Sequence, residues 1–106
     1  MAQDPREDLK KYAPNADQAV VDNLYNTYRL VLSKPDASLV SFTDPEELAT
    51  VRESFLKKKL GLSLSEAELD AGIEAVGKKL AGENRKNRLT VYYLLAEHFN
   101  KLSVFK

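Results

Sequence analysis

Apolar positions along the chain recur at helical spacing in four stretches and alternate almost nowhere. Val20, Val21, Leu24, Tyr28, Val31 and Leu32 step by three and four residues. Leu48, Val51, Phe55 and Leu56 form a second set, and Leu69, Ile73, Val76 and Leu80 a third. From Leu89 to Ala96 only Thr90 is polar, and Phe99 and Leu102 follow. So wide an apolar surface predicts a helix buried on most sides.

Start and stop signals divide the chain into five helical pieces. Asp4-Pro5-Arg6-Glu7 reads as an N-cap, a first-turn proline and a capping-box acid, opening a short helix that Pro14 stops. Asn15-Ala16-Asp17-Gln18 opens the second helix, with Gln18 placed to reach back to the Asn15 amide, and the pattern runs to about Ser33. Asp44-Pro45-Glu46-Glu47 starts the third, which Gly61 ends with Leu62 folding back. Ser65-Glu66-Ala67-Glu68 starts the fourth, with Leu64 as a staple for Leu69 and Gly82 as its close. The fifth runs from near Asn84 to about Leu102. Between Lys34 and Thr43 the chain reads as a loop whose Leu39, Val40 and Phe42 tuck into the core; a strand there would have no obvious partner. The expected fold is all-α: a single compact domain over residues 1–106 with the C-terminal helix central. The expected core of that helix is Leu89, Tyr92, Tyr93, Ala96 and Phe99.

Composition narrows the chemistry. With 106 residues, no cysteine and one histidine, disulfide scaffolds, thiolate zinc sites and thiol catalysis are excluded. Sixteen basic side chains balance sixteen acidic ones, which argues against a strongly basic nucleic-acid binder. The charged start has no apolar run of the kind a secretory signal needs, and no window approaches a membrane span, so the cytoplasm is the expected location.

Two motif fragments are decoys. Gly72 to Lys78 fits seven positions of a phosphate-binding loop, but Lys79 stands where Ser or Thr should hold magnesium. Ile73 and Val76 also belong to a buried helical stripe, and helical amides are already bonded. Gly72 and Gly77 are instead expected to let a neighbouring helix come close. Glu66, Glu68 and Asp70 alternate like calcium-loop ligands, yet Ala71 and Gly77 replace the required glycine and closing acid. His98 has no acid or base partner near it in sequence. No cofactor, metal or catalytic residue is therefore expected.

The basic residues are distributed unevenly. Residues 1–53 carry six basic and ten acidic side chains, and residues 54–106 carry ten and six. Lys57, Lys58 and Lys59 suit the carbonyl end of the third helix, as Lys78 and Lys79 suit that of the fourth. Arg85, Lys86 and Arg88, read as the first turn of the fifth helix, oppose its dipole. Arg85 and Lys86 are expected to be exposed and Arg88 to lie over its neighbours. Together these eight residues define a candidate face for an anion or a partner.

Asp36-Ala37-Ser38-Leu39-Val40-Ser41, Asp44-Pro45-Glu46-Glu47-Leu48, and Val51 with Phe55-Leu56-Lys57-Lys58-Lys59-Leu60-Gly61-Leu62 form one recognisable block. Asn87-Arg88-Leu89-Thr90-Val91-Tyr92-Tyr93-Leu94-Leu95-Ala96-Glu97-His98-Phe99 forms another. Both resemble the small bacterial domain of unknown function numbered 2853. The resemblance implies a stand-alone, all-helical bacterial domain and places Lys57 to Lys59 and Arg88 in its recurring pattern. It carries no activity and no functional residues. The leading expectation is a non-enzymatic interaction module that binds a protein partner or itself. A weak nucleic-acid or anion binder using the basic face, and an enzyme whose site is assembled from distant helices, are the alternatives.

Overall fold

The structure, a computed structural model, describes residues 9–10, 12–34, 39–81 and 86–105. Leu9, Lys10 and Tyr12 are helical, and Leu9 is buried. The expected cap at Asp4 and Pro5 lies outside the described residues. Helix α1 spans Gln18–Thr27, with the Asp17 side chain accepting from the Ala19 N–H at 2.9 Å. The cap is thus Asp17 and not Asn15: Gln18 donates to the Ala16 carbonyl, so the Asn15 box does not form. The chain breaks at Tyr28 and resumes as the single turn α2, Arg29–Leu32.

Helix α3, Pro45–Thr50, starts as its sequence dictates, with Asp44 accepting from the Glu46 N–H at 3.0 Å. It then widens into a π-helix over Val51–Lys59. The buried positions explain why. Val51, Phe55, Leu56 and Leu60 recur at four to five residues, which is longer than an α-turn. Bonding from i to i+5 keeps them on one face and leaves Lys58 and Lys59 exposed. Gly61, at φ +66°, closes this helix in the left-handed region, and the Leu62 N–H returns to the Leu56 carbonyl.

Helix α4, Glu66–Lys79, is capped by Ser65, which accepts from the Glu68 N–H. It buries Leu69, Ile73 and Val76, and Leu64 stays exposed beside it. The helix ends at Lys79 with Leu80 as its C-cap; Gly82, the expected close, lies outside the described residues. Gly72 and Gly77 do serve packing, but what approaches them is aromatic. A Cβ at Gly72 would lie 2.2 Å from Phe99 Cζ, and one at Gly77 2.9 Å from Phe42 Cδ2.

Helix α5, Arg88–His98, is the centre of the molecule: every residue from Arg88 to Ala96 is buried. Its cap is Asn87, accepting from the Leu89 N–H at 3.0 Å, so it starts later than the expected Asn84, which lies outside the described residues. It also ends earlier, because Asn100 turns into the left-handed region at φ +57° and a 3-10 turn follows over Leu102–Phe105. Leu89, Tyr92, Tyr93 and Ala96 are buried as expected, and Phe99 is half-buried. α5 packs on α1, α4 and the 3-10 turn, and meets the π-helix through Tyr92, stacked on Phe55 at 3.9 Å and 13°. The segment before α3 has a partner after all. Leu39 forms an antiparallel bridge with Asn87, and the Val40 N–H donates to the Lys86 carbonyl at 2.8 Å. No strand extends beyond that bridge among the described residues, and the fold is all-α.

Candidate functional site

Arg88 is the most unusual side chain in the structure. It occupies the first position of the central helix, where a cation opposes the dipole, yet it is only 6% exposed. Among the described residues three groups compensate. The guanidinium donates to Glu47 of α3, to the Tyr92 hydroxyl at 2.8 Å and to the Leu39 carbonyl at 3.5 Å. It also lies over the Tyr92 ring, 5.5 Å from its centre. Burial pulls the Arg88 pKa down, but Tyr92 and Glu47 outweigh it, so the group is held more firmly charged than usual. Burial pushes the Tyr92 phenol up, opposed by Arg88, and pushes Tyr28 up further, with Tyr92 adding to it. The Tyr28 and Tyr92 rings meet edge to face at 4.9 Å. Among the described residues no buried side-chain nitrogen or oxygen lacks a hydrogen-bond partner. This cluster is closed and saturated.

The other arrangement is open. A groove of about 660 Å³ runs between α3 and α4. Leu48 and Ala49 of α3 form one wall, Ile73 and Gly77 of α4 the other, and Phe42 and Pro45 close one end. Gly77 makes room for the Phe42 ring, and the Lys86 ammonium sits over that ring at 5.8 Å. Asp70, Glu74 and Lys78, spaced four apart, line the α4 side as one charged stripe. Arg52 reaches from the π-helix to Asp70 at 3.0 Å and to Glu53 at 2.9 Å, and Lys78 lies 3.8 Å from Glu74. Along α4 the stripe therefore runs from Asp70, paired with Arg52, through Glu74 to Lys78, with Lys86 beside that basic end.

The eight basic residues singled out in the sequence fall in separate places. Lys57 pairs with Glu53 at 3.0 Å and approaches Glu66 at 3.6 Å, which puts it beside the start of α4. Lys58 is exposed there too, and Lys59 lies over the Phe105 ring at 5.5 Å. Lys78 and Lys79 are at the other end of α4, about 18 Å away along its axis by helical rise. Lys86 does not belong to the first turn of α5: it precedes the cap, is half-buried, and joins Lys78 at the groove. Arg85 lies outside the described residues. Arg88 lies over a neighbour, as expected, but that neighbour is Tyr92 and the contact is inside the protein.

His98 is exposed and touches Phe99 edge to face. Residues Gly72 to Lys78 are helical, so the amides of the phosphate-loop fragment are committed to α4. Among the described residues no three His, Asp or Glu side chains gather as a metal site, and no helix is long and apolar enough to cross a membrane.

The fold and its surface define an all-helical domain with one saturated buried ion cluster and one open amphipathic groove. The family model for a protein of unknown function, DUF2853, matches residues 5–103, and the chain belongs to that family. No curated protein matches the chain.

Sequence reasoning reached neither arrangement directly. An arginine leading an apolar run was a signal for the cluster, but its carboxylate lies 41 residues earlier. The groove depends on the meeting of Phe42 with Gly77, which no local pattern encodes.

Proposed function

We propose that this chain is a non-enzymatic, cytoplasmic interaction module whose groove between α3 and α4 receives an amphipathic helix from a protein partner. One observation carries this reading: an apolar floor bordered by a stripe graded from Asp70 and Glu74 to Lys78 and Lys86. A groove of this kind suits the helix-in-groove mode, where apolar anchors fill the floor and charges set direction. Asp70 and Lys78 are about 12 Å apart along α4, room for two helical turns. The complementary helix is acidic at its N-terminal end, beside Lys78, and basic at its C-terminal end, beside Asp70. That polarity agrees with the dipole of the incoming helix and sets it antiparallel to α4. The ion pairs on the stripe are superficial, so exchanging them for partner contacts costs little.

The test uses two peptides of about four helical turns with one apolar stripe and opposite charge gradients. In a nuclear magnetic resonance titration, the acidic-to-basic peptide shifts Leu48, Ala49, Ile73 and Gly77, and the reversed peptide binds more weakly. Leu48→Glu abolishes the shifts. If neither peptide moves these signals, or if an RNA oligomer moves Lys57 to Lys59 instead, the reading fails. A concentration-dependent dimer that buries the groove without peptide would assign it to self-association.

A further inference from the structure

We infer that Arg88 is the positioning residue of the groove: its tether to Glu47 sets where the α3 wall stands relative to α4. The inference rests on reading the groove as the docking site.

The argument starts from what holds each wall. α4 buries Leu69, Ile73 and Val76 and is anchored by apolar packing. α3 has six residues and not one is fully buried. Its C-terminal end runs on into the π-helix, which Val51, Phe55 and Leu56 anchor. The first turn, at Pro45 to Leu48, has little apolar contact and opens locally at small cost unless something else ties it down. Among the described residues three polar tethers approach this wall from the start of α5. The Val40 N–H donates to the Lys86 carbonyl at 2.8 Å, and Arg88 donates both to the Leu39 carbonyl and to Glu47. Two of the three come from one guanidinium, which is buried at the first position of the most buried helix and lies on the Tyr92 ring. Glu47 is the only one of these contacts made by α3 itself. The residue after it, Leu48, is half-buried and lines the groove, as does Ala49. Arg88 thus reaches the docking surface through the back of its wall. The Glu47 side chain is a quarter exposed, so water can enter when the pair separates. The wall then opens while the core beneath it stays closed.

Amide hydrogen exchange on the full chain tests this without any ligand. Glu47→Gln keeps the size of the side chain and removes its charge. The Val40 and Leu48 amides are expected to exchange at least about tenfold faster, while those of Val91 and Leu95 in α5 keep their parent rates. Equal acceleration of both sets would make the pair a contributor to global stability only and would overturn the inference, as would no acceleration anywhere. If Glu47→Gln does not fold, Glu47→Asp, which keeps the charge on a shorter arm, is expected to give the same selective pattern at smaller amplitude. Failure of both variants to fold would also overturn it. A second arm uses the acidic-to-basic peptide, whose affinity is expected to fall about fivefold or more in the selectively opened variant. Unchanged affinity alongside selective opening would overturn the link to docking. A parent protein that binds no peptide would sink the docking reading alone, leaving the exchange pattern to judge the tether.

Discussion

Arg88 and Arg52 each meet a carboxylate on another helix, and their surroundings make them different objects. Arg88 is buried, over an aromatic ring, with its donors divided among Glu47, Tyr92 and the Leu39 carbonyl. Arg52 lies along the surface between Glu53 and Asp70, in an exposed network that also takes in Lys57 and Glu66. Water screens the second arrangement and offers every member an alternative partner. In the first, the guanidinium has little water around it and depends on its partners, while Glu47, a quarter exposed, is the side that water can reach. Similar chemistry thus serves position in one place and an adaptable surface in the other.

The comparison is broken most forcefully by removing one side of the sealed pair. Arg88→Ala removes the guanidinium from the Tyr92 ring together with its bonds to Glu47, the Tyr92 hydroxyl and the Leu39 carbonyl, and the expected loss is about 3–5 kcal/mol in denaturant unfolding. Replacing both partners, Glu47→Leu with Arg88→Met, should recover much of that loss, because no charge is then stranded. A double variant no better than the single one would mean that the ion pair is not what stabilises this corner.

A smaller effect follows from the hydroxyl. Tyr92→Phe removes an acceptor from a buried cation and should cost about 1.5–3 kcal/mol. It should also change the alkaline limb of the stability profile. Burial raises both the Tyr28 and Tyr92 pKa values, so unfolding releases protons more readily than the folded state does. The stability these phenols contribute is complete below the unfolded tyrosine value of about 10 and is lost as pH rises above it. Tyr28→Phe should flatten that decline; an unaltered slope would show that Tyr28 does not govern it.

Gly72→Ala tests the packing of α4 against the C-terminal end of α5. The added methyl overlaps the Phe99 ring, but alanine suits a helix better and Phe99 is only half-buried. A net loss of about 1 kcal/mol is expected, and a gain would show that the ring swings aside freely. At the lower end, Arg52→Gln should leave the unfolding midpoint unchanged and alter only the salt dependence. A large loss there would erase the distinction between the two arginines.

The legible part of the fold was the local part. Asp44 and Ser65 announce their helices because a cap bonds to amides two or three residues away, and Gly61 announces an end for a similarly local reason. The buried run from Leu89 to Ala96 identified the central helix. What escaped the sequence was decided at a distance. Asn84 and Asn87 are equivalent as cap chemistry, and the helix starts after Asn87, the residue that pairs with Leu39. The spacing of Val51, Phe55, Leu56 and Leu60 already exceeded an α-turn, yet an α-helix was expected. The basic residues read as one set in sequence, but Lys57 meets Glu66 at the start of α4 and Lys78 stands at its other end, a separation that only the packing of the two helices fixes. Arg88 was legible as a residue lying over its neighbours, but not as a buried ion-pair partner, because Leu39 and Glu47 are 49 and 41 residues away in sequence.

The most direct test of the account watches both regions in one titration. The parent protein, labelled at methyl groups and at arginine side chains, receives the acidic-to-basic peptide at constant salt. The account predicts that Leu48 and Ile73 shift in a saturable manner while the Arg88 guanidinium signal stays in place and remains slow to exchange. Saturable movement of Arg88 or of Lys57 to Lys59, with Leu48 and Ile73 silent, would contradict it.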